Sequence, residues 1–145
     1  MEQNSENLNW SVSDRDDTED AREIHEALKA HAEIDVGPPK REPLVITVRD
    51  RKTRELIGGL RGYSHWNWVY VSHVWVAEAH RSSGVGKAVL EKLSVEAKKR
   101  NARGIYLDTF DERSRAFYER EGFQSFGKID EFFPGRARYF MLRRF

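Results

Sequence analysis

Residues His80 to Leu93 read HRSSGVGKAVLEKL and come two residues after the apolar run WVYVSHVWVA, Trp68 to Ala77. Gly84 and Gly86 bracket Val85, and beyond them Val89, Leu90, Leu93 and Ala97 recur at helical spacing. A β-branched and aromatic run, a glycine turn and an amphipathic helix together form a strand–turn–helix unit. The first amides of a helix have no intrahelical acceptor and lie at the positive end of its dipole, so this turn suits an anion, phosphate above all. Arg81 and Lys87 flank it with formal charge.

Two familiar phosphate motifs fail here. A nucleotide P-loop requires GxxxxGK[ST], but Gly86-Lys87 is followed by Ala88 and the first glycine position holds Arg81. A dinucleotide fingerprint requires GxGxxG, and its third glycine is Val89.

Working outward, the run Trp68 to Ala77 shows no clean alternation and predicts a central strand buried on both faces. Upstream, LVITVRD (Leu44 to Asp50) and LIGGLRGYS (Leu56 to Ser64) form two strands around the polar turn RKTRE. Before them, GPPKREP ends a helix that starts among Asp14 to Asp17 and carries Ala21, Ile24 and Leu28 on one face. LNWSVS, Leu8 to Ser13, alternates as a half-buried strand would. Downstream lie a strand at Gly104 to Phe110, a short helix in SRAFYEREGF closed by Gly122, and strands at about 123–128 and 136–144. The order β-α-β-β-β-α-β-α-β-β predicts an α/β (α+β) domain: a mixed sheet with helices packed on it.

The 145 residues suffice for one domain, expected to span 1–145 with residues 1–7 as a tail. No window is apolar enough to cross a membrane, and the polar, acidic start is not a secretory signal. Cysteine is absent, which excludes disulfides, thiolate metal sites and a cysteine nucleophile, and fits a cytoplasmic protein. The net charge of +1 conceals an asymmetry: residues 1–35 hold 11 acidic against 3 basic side chains, and the remainder holds 13 against 22. A basic main body suits an anionic ligand, whether a nucleotide-like cofactor or a nucleic acid.

The segment R-S-S-G-V-G-K after HVWVAEAHR resembles the Q/R-x-x-G-x-G/A signature of the GNAT superfamily of N-acetyltransferases. DTFDERSRAFYEREGF, Asp108 to Phe123, is similar to the family's N-x-x-A-x-x-F-Y-E-x-x-G-F helix, and EFFPGRARYFMLRRF resembles its last hairpin. The likeness runs from about Leu8 to Phe145. It implies a mostly antiparallel sheet of about seven strands, splayed between the fourth and fifth, and acetyl-CoA as cofactor. The pyrophosphate would rest on Arg81, Ser82, Ser83, Gly84, Val85, Gly86 and Lys87, and the pantetheine arm along the backbone of Val74, Trp75 and Val76. Phe117, Asp111 and Ser114 fall on further cofactor-contact positions, with Asp111 replacing the family's Asn and Ser114 its Ala. Tyr118 falls on the family's tyrosine, which the resemblance implies protonates the leaving thiolate or helps position the thioester.

The base is less marked, because relatives carry Glu or His on the fourth strand at positions matching Tyr70 and Ser72. Asp108, His73, or Tyr70 acting through water remain, and Asp108 is the preferred candidate. Against these roles stand plainer ones: Gly84 and Gly86 as an ordinary turn, Tyr118 as a core ring, Asp108 as a cap. His65 and His73 read as packed histidines, Trp66, Trp68 and Trp75 as core or pocket wall. Lys98 to Arg100 read as a solvated helix end, and Arg136, Arg138, Arg143 and Arg144 as a solvated hairpin. The leading function is acetyl transfer to a primary amine of a small molecule or peptide in a ternary complex, with no metal and no membrane partner. The alternatives are a catalytically weak acyl-CoA sensor and a basic nucleic-acid-binding module, the last lacking an evident recognition helix or aromatic platform. The resemblance leaves a homodimer open.

Overall fold

The computed structural model describes residues 7–145, so the expected tail lies, except for residue 7, outside the described residues. The chain divides into one unit reaching to Pro38 and another from Pro39 to Phe145.

In the first unit, α1 (Glu19–Val36) starts at Thr18, whose hydroxyl accepts from the Ala21 amide at 3.1 Å. Glu19 and Asp20 complement the helix dipole, and Gly37, at φ 81°, ends the helix. Asp17, among the expected caps, instead pairs with Arg15 at 2.8 Å. The strand expected at Leu8 to Ser13 does not form: the segment is irregular, with Trp10 and Val12 exposed. Alternation makes a strand only where another strand takes its backbone groups, and the described part of this unit offers a helix instead.

The second unit is a six-stranded sheet, one strand fewer than expected. Its strands are β1 (Glu42–Arg49), β2 (Leu56–His65), β3 (Trp68–Val76), β4 (Gly104–Thr109), β5 (Gln124–Phe133) and β6 (Arg136–Arg144). They lie in the order β1-β2-β3-β4-β6-β5. Every neighbouring pair is antiparallel except β3–β4, which is parallel and joined through α2 (Val85–Lys99). With the first expected strand missing, β3 and β4 are the strands the resemblance numbers fourth and fifth. A short helix, α3 (Glu112–Arg120), links β4 to β5, and Gly122 follows it at φ 92°.

The core lies between the sheet and the two helices. From α2 it takes Val89, Leu90, Leu93 and Ala97, from the sheet Leu44, Leu60, Val69, Val71, Ile105, Leu107 and Met141, and from α3 and the residues after it Tyr118 and Phe123. Leu93, Ile105 and Met141 are fully buried. Burial of each such side chain contributes about 1.5–3 kcal/mol, which fixes α2 and so the turn that precedes it.

β3 is not buried on both faces as the sequence predicts. Val69 and Val71 are buried and Tyr70 half-buried, but Ser72, His73 and Trp75 are exposed. The register explains the lost alternation. Arg61 of β2 pairs with His73 while Gly62 pairs with Val71, so Ser72 is an extra residue, a β-bulge. One inserted residue shifts parity: Val69 and Val71 point to the core before it, and Val74 packs on the core after it.

Two charged groups expected to be solvated have structural partners. Arg100, at the end of α2, donates from Nη1 to the Glu42 carbonyl at 3.0 Å and to Ser64 at 3.1 Å, and from Nη2 to the Pro43 carbonyl at 3.0 Å. Arg143 of β6 reaches Ser94 of α2 at 3.1 Å. Both tie α2 to the sheet beneath it.

Candidate active site

β3 and β4 pair only through Trp68–Gly104, Val69–Ile105 and Tyr70–Tyr106. Beyond Tyr70, β3 continues along β2 to Val76, while β4 continues along β6 to Thr109. The sheet therefore opens between them, and Val74, Trp75 and Val76 line the β3 side of the opening. Among the described residues, the only parallel pair in the sheet is also the only one without a shared hairpin or extended ladder to hold it shut.

The glycine turn stands just past this opening. A single 3-10 turn, Glu78–His80, leads to the exposed segment Arg81 to Gly84. Ser83 donates its hydroxyl to the His80 carbonyl. Arg81 Nε donates to the Val76 carbonyl at 3.0 Å, joining turn to strand. Ser82 takes φ 62° and Gly84 φ 89°, both left-handed. Helix α2 then opens from Gly84, with its first intrahelical bond running from Ala88 to the Gly84 carbonyl at 3.0 Å.

The start of α2 differs from the other two helix starts. α1 has Thr18 as a side-chain cap and α3 has Asp111, each with acid in the first turn. α2 has no side-chain cap and no acid in its first turn, and Lys87 lies there instead. The amides of Val85, Gly86 and Lys87 thus meet a positive dipole end with no internal anion, which fits a diphosphate. At Gly86 the packing is close: a Cβ there would stand 3.1 Å from Cζ of Phe117, whose ring lies against the first turn of α2 and would have to give way. At Gly84 a Cβ would meet nothing within 4 Å, so there the backbone conformation makes the demand.

α3 brings Tyr118 to the base of the site. The phenol is buried, with its ring 5.5 Å from Phe117 and 5.7 Å from Phe123. Burial pushes it up to about 12, and the charges of Asp108 and Asp111 add to the push. The ring stays protonated throughout the neutral and moderately alkaline range. Asp111 and Ser114 account for each other: Asp111 accepts from the Ser114 amide at 3.2 Å and hydroxyl at 2.9 Å, and so caps α3. Those Ser114 bonds, with the amide of Arg113, hold the Asp111 carboxyl below the usual carboxylate range.

Asp108 lies on the other face of β4, away from α2, with both oxygens engaged. Arg138 of β6 donates to Oδ2 from Nε at 2.8 Å and from Nη2, and Tyr70 donates to Oδ1 at 3.2 Å. Arg138 also lies over Phe132 at 4.8 Å and Phe140 at 5.4 Å, so it is a packed ion-pair partner and not the solvated residue expected. Around this pair the face is aromatic. Tyr70 is 4.9 Å from Tyr106 and 5.5 Å from Tyr63, and His65 Nε2 is 2.8 Å from the Tyr106 hydroxyl. Burial, then the Asp108 charge, raises Tyr70; burial, then Arg41, lowers His65. Trp66 and Trp75 are about half exposed, at 47% and 48%, and so are not core residues.

The structure thus gathers the sequence candidates into three groups: the turn Arg81 to Lys87, the edge Val74 to Val76, and α3 with Asp111, Ser114, Phe117 and Tyr118. Sequence reasoning missed Arg138 and the Ser72 bulge. Neither has a local signature, since one depends on the β4–β6 register and the other on the β2–β3 register.

The model of the acetyltransferase (GNAT) family matches residues 5–123. An acetyltransferase of Agrobacterium fabrum is 31% identical over 138 residues, covering 95% of this chain and 100% of the relative. The blasticidin-S acetyltransferase of Streptomyces morookaense is 28% identical over 90 residues, 61% of this chain and 66% of that protein. Among solved structures, one described as an acetyltransferase from Agrobacterium tumefaciens has a TM-score of 0.85 at 31% identity, covering 95% of this chain and 100% of that one.

Proposed function

Because the chain belongs to the GNAT acetyltransferase family, whose acetyl donor is acetyl-CoA, we propose that it moves the acetyl group directly to a primary amine of a small molecule with both substrates bound. The observation that carries this reading is the placement of Tyr118: a buried phenol whose ring is 5.5 Å from Phe117, itself packed against Gly86 at the start of α2, and which burial keeps protonated.

In this reading the amides of Val85, Gly86 and Lys87 hold the diphosphate, with Arg81 and Lys87 supplying charge, and the open edge at Val74 to Val76 pairs with the amide-bearing arm. As the amine nitrogen bonds to the acetyl carbon and the carbon–sulfur bond breaks, Tyr118 gives its proton to the sulfur. The absence of cysteine leaves no cysteinyl acyl-enzyme to form and agrees with direct transfer. Asp108 enters differently from the sequence expectation. With Oδ2 on Arg138 and Oδ1 on Tyr70, it serves as a fixed acceptor that orients the Tyr70 hydroxyl beside the acceptor amine. Taking up a proton would cost it the ion pair.

A thiol-release assay with acetyl-CoA against spermidine, phenethylamine, lysine and blasticidin S tests the proposal. The expected result is release that depends on one of the amines, with the N-acetyl product seen by mass spectrometry. Tight acetyl-CoA binding with release by none of them, or acetylation of a hydroxyl only, contradicts it.

A further inference from the structure

We propose that His73 is the base that takes the proton of the acceptor amine, and that Ser72 is the positioning residue that leaves His73 Nε2 free to do so. This rests on the amine reading above and adds the residue that reading lacks.

The β-bulge supplies the first observation. It inserts Ser72 opposite Arg61 and leaves Ser72 and His73 exposed, in the part of β3 that has lost its β4 partner. His73 lies between Tyr70, where pairing stops, and Val74, where the open edge begins.

Hydrogen-bond bookkeeping supplies the second. The Ser72 hydroxyl lies 3.0 Å from the Arg61 carbonyl, an acceptor only, so its single proton is spent there. His73 Nδ1 lies 2.8 Å from the same hydroxyl oxygen. With the serine proton committed, the ring must be the donor, so the neutral imidazole carries its proton on Nδ1. Nε2 then holds the lone pair, and no other hydrogen bond reaches it among the described residues. A base oriented by a third group in this way is the arrangement that proton-accepting histidines require.

The step balances without another reactant. The amine N–H bond breaks, an Nε2–H bond forms, and the imidazolium is stabilised through the Ser72 oxygen and the Arg61 carbonyl. By strand alternation, the other charged or titratable side chains on this face are Arg61, Tyr63 and His65 on β2, Tyr70 on β3, Tyr106 and Asp108 on β4 and Arg136, Arg138 and Arg144 on β6, with Arg41 over the Tyr63 ring. Asp108 is paired with Arg138, and His65, at the closed end of the β3–β4 pairing, has Nε2 on the Tyr106 hydroxyl, so His73 is the base at the open edge with a lone pair to offer.

Two measurements test this. Nitrogen-15 NMR of the ring in the protein alone should show Nδ1 protonated and Nε2 bare, with Ser72→Ala mixing the tautomers and Ser72→Thr restoring them. A bare Nδ1 overturns the proposal. In the thiol-release assay, His73→Ala should lose about 10²–10⁴-fold in kcat, keep its acetyl-CoA affinity and melting temperature, lose the acidic limb of the pH–rate profile, and regain turnover with added imidazole. Unchanged kcat in His73→Ala overturns the assignment alone. A wild-type protein that binds acetyl-CoA yet acetylates no amine overturns the amine reading and the base with it, which is a different result.

Discussion

Tyr70 and Tyr106 are the last residues at which β3 and β4 pair, and their rings lie 4.9 Å apart. Past that contact the strands follow different neighbours, so these two rings mark where the sheet stops being closed and the site begins. On one side of the opening stand the uncapped start of α2 and the buried phenol of Tyr118. On the other lie the Asp108–Arg138 pair and the bulge at Ser72.

Tyr118→Phe removes one oxygen from a buried ring and nothing else. Steady-state kinetics should show kcat lowered about 10²–10⁴-fold, the range of a lost general acid, while calorimetry shows acetyl-CoA affinity unchanged. Because the phenol is pushed up to about 12, the wild-type rate should show no alkaline limb from this residue below about pH 10. Unaltered kcat removes Tyr118 from the mechanism.

The two glycines of the turn should fail for different reasons. Gly84→Ala forces a left-handed residue at φ 89° in open space, costing about 1–2 kcal/mol of stability, and Gly84→Asn should recover part of it, since asparagine tolerates that region. Gly86→Ala sets a methyl 3.1 Å from Phe117, so it should shift the Phe117 ring and weaken acetyl-CoA binding more than Gly84→Ala does. Thermal melts and calorimetry on the three variants separate these effects.

The Asp108–Arg138 pair is partly shielded, with side-chain exposures of 18% and 31%. Removing either partner leaves the other partly shielded without its opposite charge, Asp108 keeping only the Tyr70 hydroxyl and Arg138 only the Phe132 and Phe140 rings. A double-mutant cycle with Asp108→Asn and Arg138→Ala, read by urea unfolding, should give a coupling of about 1–3 kcal/mol. Additive effects would show that the pair does not hold the β4–β6 face together.

Asp111→Ala should cost about 0.5–2 kcal/mol at neutral pH through loss of the α3 cap. The sign with pH follows from the Ser114 bonds, which hold the folded carboxyl below its ordinary value. The stabilisation is therefore complete above the unfolded carboxylate pKa of about 3.9 and is lost as pH falls through the lower folded value. Melting curves of wild type and variant should converge below about pH 3.

Much of this was legible in the sequence where local chemistry decides. The helix of Val89, Leu90, Leu93 and Ala97, the glycine turn, the α3 ring pair and the C-terminal hairpin all appear where their patterns place them. The failures are non-local. Leu8 to Ser13 has the alternation of a strand but no partner among the described residues of its unit. The run Trp68 to Val76 hides an ordinary alternation behind one inserted residue, visible only when β2 is laid beside it. Arg138 looked solvated because nothing within the hairpin tells that Asp108 lies across from it.

Amide hydrogen exchange with and without saturating acetyl-CoA tests the central claim most directly, that the β3–β4 opening and the start of α2 together hold the acetyl donor. Protection should appear at the amides of Val74 to Val76 and of Val85 to Lys87, with little change in β1 or β5. Binding that leaves those two segments unprotected would contradict the site.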